Sequence, residues 1–480
     1  MKPQFIDLHC HPAMKPFGKS FNSEPGKNNP NRFAKNSVWH YDPPTVIDKL
    51  ANIGLTITKF SQSDFSTLSY GGAHVICASL YPIEKGWVLN KHGDNLPADL
   101  LKNLVMGIGK KRIDHLQSMT DYFTDLTELY NYYRQLDGKV MNIEGQKSRY
   151  KLVSGFNEID DDDDVNGIDT IYVILTIEGA NVFNSGLQLM NIPVNEQEVL
   201  GNIDKVKAWE FPLFFITLTH HFYNDICGHA KSIGSPASKA YDQSFGMNTG
   251  FTELGKKVLK KLLDNTNNRR VLIDIKHMSV NARNEYYDLL KNEYAGENIP
   301  LIVSHGAVNG FKAFDDLQII NQNTKQKFMD EDINFYDDEL VKVANSEGLF
   351  GIQLDERRVA SKGELKKAGL RISRRKMLFH RSKFIWNQIQ HIAETLDREG
   401  LFGWGIQSIG SDFDGLINPI NGFWGAEEMG LLEIYLETHA YKYKESTFWT
   451  NLNPFNQISP EEIVDRFMHD NAYEFFRRNF

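Results

Sequence analysis

Eight short apolar, β-branched runs recur along this chain between helical or loop segments, and most of them end on residues able to bind a cation or move a proton. These two observations predict an α/β fold: a (β/α)8 TIM barrel with long loop insertions and a C-terminal helical extension. Near-continuous apolar runs suit a parallel sheet buried on both faces, and eight strands close a barrel. In that architecture the C-terminal strand ends meet at one mouth, where chemistry is placed. The 480 residues suffice for one barrel with insertions or for two or three ordinary domains. The strand pattern favours the first: one unit over residues 1–480, with insertions at about 12–44, 138–168 and 356–381 and a cap at about 423–480.

The first run, Phe5-Ile6-Asp7-Leu8-His9-Cys10-His11-Pro12, reads as a strand that delivers two histidines from one face. With period two, Asp7, His9 and His11 point one way and Ile6 and Leu8 the other, while Cys10 is expected to pack outward. Met14 to Pro44 has loop composition, and a helix is expected from about Thr45 to Asn52 with Val46, Ile47, Leu50 and Ala51 on its apolar side. The second strand is His74 to Pro82. Apolar residues at three- and four-residue intervals (Leu116, Met119, Phe123, Leu126, Tyr130) predict a helix over Arg112 to Leu136. The acidic run Asp160 to Asp164 reads as a solvated loop.

The remaining strands follow in order: Tyr172 to Gly179, Phe214 to His220, Val271 to His277, Leu301 to His305, Leu349 to Asp355 and Ser408 to Gly415. An amphipathic helix over Thr252 to Leu263 precedes the fifth. A long helix carrying Phe384, Ile385, Ile389, Ile392 and Leu396 precedes the eighth, and the basic run Arg371 to Arg381 before it reads as a solvated face. The aromatic tail Phe423 to Phe480 is expected to cover the barrel and its mouth.

Composition narrows the function classes. The chain is 41% hydrophobic and 24% charged, and no apolar run approaches the eighteen or so residues of a membrane span. A net charge of −9 argues against a nucleic-acid footprint, leaving small-molecule chemistry. Three scattered cysteines, Cys10, Cys77 and Cys227, fit a reducing compartment, and the first residues lack a secretion signal, so a cytoplasmic location is expected.

The strand ends carry His9 and His11, Glu178, His220, His277, His305 and Asp412. Each has the parity that faces a barrel axis: Glu178 with Thr176 and Ile174, His277 with Ile275 and Ile273, Asp412 with Gly410 and Ser408. Unpaired ionisable groups crowded in one mouth are too costly without a cation, so a metal site is expected.

On these residues the chain resembles the membrane dipeptidase (renal dipeptidase, peptidase M19) family of the metal-dependent amidohydrolase superfamily. The resemblance lies in Asp7-Leu8-His9-Cys10-His11, Ile177-Glu178-Gly179, Leu218-Thr219-His220, Ile273 to Ser279, Val303-Ser304-His305 and Ile409 to Gly415. It implies that His9 and His11 hold one divalent metal ion, His277 and His305 a second, and Glu178 bridges them, both ions being zinc. Asp412 would take the proton of the water between them, and His220 would polarise the scissile carbonyl. It further implies hydrolysis of the amide bond of dipeptides or similar small amides, a small-molecule or dipeptide substrate, and a homodimer. Lys276 raises the carbamylated lysine found elsewhere in the superfamily, but strand parity points it away from the axis.

Three features depart from the family. His11 stands where relatives usually have aspartate. The arginine that binds the dipeptide carboxylate in the family is replaced by Ile333, before Asn334-Phe335-Tyr336-Asp337-Asp338, which leaves Lys312, Lys325 or Lys327 as substitutes. The loop after strand one and the insertion Arg357 to Arg381 are additions. A metal-dependent hydrolase acting on a lactone, a cyclic amide or a base to be deaminated therefore stays open, as does a non-catalytic metal-binding barrel.

Overall fold

The computed structural model describes residues 4–55, 58–89, 106–160, 167–234, 241–369 and 373–480. Eight parallel strands close a barrel in the order β1 (Phe5–Cys10), β2 (Ala73–Leu80), β5 (Asp169–Glu178), β6 (Leu213–Thr217), β7 (Leu272–Asp274), β8 (Ile302–Gly306), β9 (Leu349–Ile352) and β10 (Gln407–Ile409), the last pairing back to β1. Every one of these strands is buried along its length, as near-continuous apolar runs require. Helices pack between them; Thr252, for example, caps Glu253–Leu263 by accepting from Gly255 N. No described helix is long and apolar enough to cross a membrane.

The insertion expected over about 138–168 contributes two strands that sequence reading missed. β3 (Met141–Ile143) and β4 (Gln146–Leu152) form a hairpin around Glu144-Gly145, both at positive φ (54° and 95°), as a tight two-residue turn demands. β5 is ten residues long, and β4 pairs with its first half while β6 pairs with its second. Of the acidic run, residues 161–164 lie outside the described residues, as do residues 371–372 of the basic run.

Several expectations need correction. The helix over Arg112 to Leu136 is two helices, Lys110–Ser118 and Tyr122–Arg134, because Asp121 accepts from Thr124 N at 2.9 Å and starts the second. The apolar spacing runs across the break and hid it. Met14–Ser20 is helical despite its loop composition, since Pro16 sits in the first turn, where its missing N–H is not needed. In the helix Val46–Leu55, Val46, Ile47 and Leu50 face solvent rather than a core. Arg381 is buried, paired with Glu356 at 2.5 Å and stacked near Phe384.

The last helices of the tail close the end of the barrel opposite the mouth, while its first residues stay on the mouth side, where Gln62 Nε2 donates to Trp424 O and Ala426 N to Gln62 O. Phe475, Phe476 and Phe480 pack against Phe214 at the start of β6, and Asn471 donates to Trp404 and Gln407 O at the start of β10. The C-terminal strand ends are thereby left to the loops. There, Gly410 and Gly351 allow close approach: a Cβ at either would lie 1.9 or 2.0 Å from Ser304 O, so β8, β9 and β10 pinch together beneath the mouth.

β1 and β7 share one device. Asp7 accepts from His9 N and from the N and Oγ of Ser411, and Asp274 accepts from Lys276 N and from the N and Oγ of Ser304. Each buried aspartate ties its own strand end to a neighbouring one. It places the residue two positions on, His9 or Lys276, at the same level of the wall.

Candidate metal centre

The strands stop short of most of the residues that matter. His277 and Asp412 lie just beyond β7 and β10 at positive φ (65° and 59°), as do Asp414 and Leu416 (66° and 65°). Left-handed backbone costs a non-glycine residue about 1 kcal/mol or more, and it aims these side chains across the mouth.

The arrangement brings all seven sequence-derived residues together, each of them buried. His9 Nε2 lies 3.1 Å from His11 Nε2, and His277 Nε2 lies 3.2 Å from His305 Nε2. Glu178 stands between the pairs, with Oε2 3.3 Å from His11 Nε2 and Oε1 3.6, 3.5 and 3.4 Å from the Nε2 atoms of His9, His277 and His305. Ligand atoms of a tetrahedral ion bound at about 2.0–2.1 Å are separated by about 3.3–3.4 Å, so these spacings suit shared ions. Glu178 Oε1 is buried without a hydrogen-bond partner among the described residues, which is costly unless a cation takes it. The donor set therefore fits divalent metal.

Asp412 reaches the same place. Gln353 Nε2 donates to its Oδ2 at 2.6 Å, while Oδ1 lies 3.6 Å from His11 Nε2 and 3.9 Å from His9 Nε2. His220 Nε2 is 3.5 Å from Glu178 Oε1, and its Nδ1 is bonded to Glu84 Oε2 at 2.9 Å. Glu84 also accepts from the backbone N of His221 and Phe222 and from Tyr81. Neither Glu84 nor Gln353 was found from sequence, because neither belongs to a strand-end motif. His221, a further imidazole grouped with His220 and His277 within 4.8 Å, carried only its adjacency to His220 as a signal.

The charges divide cleanly. Burial opposes ionisation of Glu178, but the imidazoles of His220, His9 and His11 outweigh it and hold the carboxyl well below the usual range. Burial lowers His11 too, yet its bonds to Asp412 and Glu178 carry it up to about 10. His220 is likewise raised against burial by Glu178 and Glu84. Burial first, then neighbouring positive charge, pushes His277 and His305 well below the usual imidazole range and keeps both neutral, the form that binds metal.

Lys276 is a correction. Register runs from Glu178 through Thr217 to Asp274, so Asp274 and Lys276 lie on the axial face of the wall, not the outer one. Parity counted back from His277 failed because the backbone at His277 is left-handed. Lys276 is buried, its Nζ has no hydrogen-bond partner among the described residues, and burial followed by the charge of Arg358 lowers it to about 7.

Two of the three substitutes suggested for an arginine at 333 are engaged elsewhere. Lys312 pairs with Asp316 at 2.7 Å on the surface, and Lys327 reaches Asn387. Ile333 is buried. Arg357 and Arg358 come instead from a short helix, Glu356–Val359, after β9. Arg357 grips Asp355 with two nitrogens, while Arg358 binds Ser232 O and acts on His221 and Lys276.

Neither a family model nor a curated protein sequence matches the chain. Among solved structures it is similar to dipeptidase AC, a metallopeptidase of family M19, with a TM-score of 0.52 and 13% identity over 100% of this chain and 99% of that one. It is similar to the same degree, TM-score 0.52 and 13% identity over 100% of both chains, to a metallopeptidase from Rhodobacter sphaeroides liganded with a phosphinate mimic of the dipeptide L-Ala-D-Ala. At that identity the likeness is one of fold, and the fold is the closed (β/α)8 barrel with C-terminal helices.

Proposed function

We propose that this chain is a metal-dependent hydrolase that cleaves the amide bond of dipeptides or similar small amides with two divalent ions, zinc by the character of the ligands. One observation carries the reading: a buried carboxylate, Glu178, with an oxygen unpartnered among the described residues, between two histidine pairs whose Nε2 atoms lie 3.1 and 3.2 Å apart. The M19 resemblance and the fold shared with a dipeptidase support the substrate class.

The residues have distinct tasks. His9 and His11 would hold one ion, His277 and His305 the other, with Glu178 offering an oxygen to each. Such a pair supplies an acidified water and a polarised carbonyl when bound. Asp412, pinned through Oδ2 by Gln353, presents Oδ1 to accept the proton of that water and return it to the leaving amine. His220 gives Nδ1 to Glu84 and is held towards its protonated form, so its Nε2–H can donate to the carbonyl oxygen as charge develops.

The test is a panel of dipeptides of both stereochemistries at the second residue, with and without chelator. Cleavage that chelator abolishes and zinc restores is expected. No cleavage of any amide by zinc-loaded protein would refute the reading. The buried Ile333, in place of a carboxylate-binding arginine, favours the second reading: the same centre acting on a lactone, a cyclic amide or a deaminated base. Turnover in such a panel without any dipeptide cleavage would select it.

A further inference from the structure

Resting on the amide-hydrolase reading, we propose that Lys276 and Arg358 form an anion-binding wall in the mouth, and that the substrate carries a carboxylate beside its scissile bond. Lys276 occupies on β7 the ledge that His9 occupies on β1, each set by an aspartate two residues earlier that accepts its backbone N–H. Its side chain is buried, within electrostatic reach of Glu178, Asp412, His277 and His305, with Nζ unpartnered among the described residues. A buried amine with no acceptor costs stability, and such a group persists where a ligand completes it.

The protein's own anions do not complete it. Asp274 already accepts four hydrogen bonds, from Ser304 N and Oγ, Thr217 Oγ1 and Lys276 N. Glu178 and Asp412 are committed to the metal ligands and to the proton. Towards the rim stands Arg358, whose charge acts on Lys276. Its guanidinium binds Ser232 O and lies 4.0 Å from Met329 Sδ, and the Glu331 carboxylate is 3.6 Å away, beyond hydrogen-bond distance. Two basic side chains thus line one wall from floor to rim, within electrostatic reach of the imidazoles and of Asp412. A carboxylate spanning them gains two charge-assisted donors, with the planar guanidinium suited to paired oxygens.

The test uses alanyl-glycine and alanyl-glycinamide on the zinc-loaded chain. The free acid should be preferred at least about tenfold in kcat/KM, and that preference should fall about tenfold in Lys276→Met and in Arg358→Gln, chiefly through KM, with Lys276→Arg recovering part of it. An acid-to-amide ratio that is unchanged in both variants, or near one in the parent, overturns the proposal. Calorimetry with N-acetylglycine and N-acetylglycinamide decides it without turnover. Tighter binding of the acid, weakened in Arg358→Gln, supports the wall even if no amide is cleaved, in which case the hydrolase reading alone fails. Equal binding of the two removes the wall.

Discussion

Asp412 has one oxygen fixed by Gln353 and the other turned towards His9 and His11. If it carries the proton, Asp412→Asn should lower kcat by about 10²–10⁴-fold with metal content unchanged, measured by steady-state kinetics alongside elemental analysis. His11 makes a second test. In the metal-free protein it keeps its proton up to about 10, which stabilises the fold fully below pH 6.5 and is lost as pH rises through about 10. A ligand must shed that proton, so zinc affinity should strengthen as pH rises, with proton release seen by calorimetry in buffers of different ionisation enthalpy. Binding without proton release would count against His11 as a ligand. At this scale residue type and strand-end position were enough to pick out the seven residues that cluster at the mouth, although the alternation that placed His277 and Asp412 there did not hold: both reach it through left-handed backbone. Lys276 was misread because one left-handed residue broke the alternation used to place it, and Glu84 and Gln353 stayed hidden because positioning partners carry no motif.

The elements show what holds those residues in place. The loop after β10, strained at Asp412, Asp414 and Leu416, is clamped to the helix Met14–Ser20 by Lys15, which donates to Asp414 Oδ1 at 2.6 Å and to Phe60 O. Asp414 Oδ2 also accepts from Gln62 N and from Ser63 N and Oγ. Breaking a buried ion pair costs about 3–5 kcal/mol. Lys15→Met should therefore lower the melting temperature and kcat together while zinc stays bound, and an unaltered kcat would show that the clamp does not position Asp412. A different contact governs acid stability. His439, on the helix Met429–Lys444, is buried against Phe379 and bonded to Ser382, and burial, helped by Lys383, lowers it to about 3. Its neutral form is the folded one, so its stabilisation is complete above pH 6.5 and declines as pH falls towards 3, by about 1.4 kcal/mol per unit at most. His439→Gln should flatten that slope in thermal melts recorded from pH 7 to 4.

The whole molecule separates chemistry from closure. The candidate ligands gather where the strands end, and the last helices of the aromatic tail seal where they begin. Phe476→Ala, on Phe214, should cost about 3–5 kcal/mol of stability without altering zinc content, checked by denaturant unfolding and elemental analysis. The barrel was legible because its buried strands are nearly continuous apolar runs. The tail's destination was not, since aromatic content states that a segment packs and not on which end; nor was the β3–β4 hairpin, whose strands are polar on one side. The central claim, two ions shared by five buried ligands, is tested most directly by metal analysis of purified protein equilibrated with zinc. About two ions per chain are expected, with loss of at least one in Glu178→Gln; a folded parent chain that retains no divalent metal would contradict it.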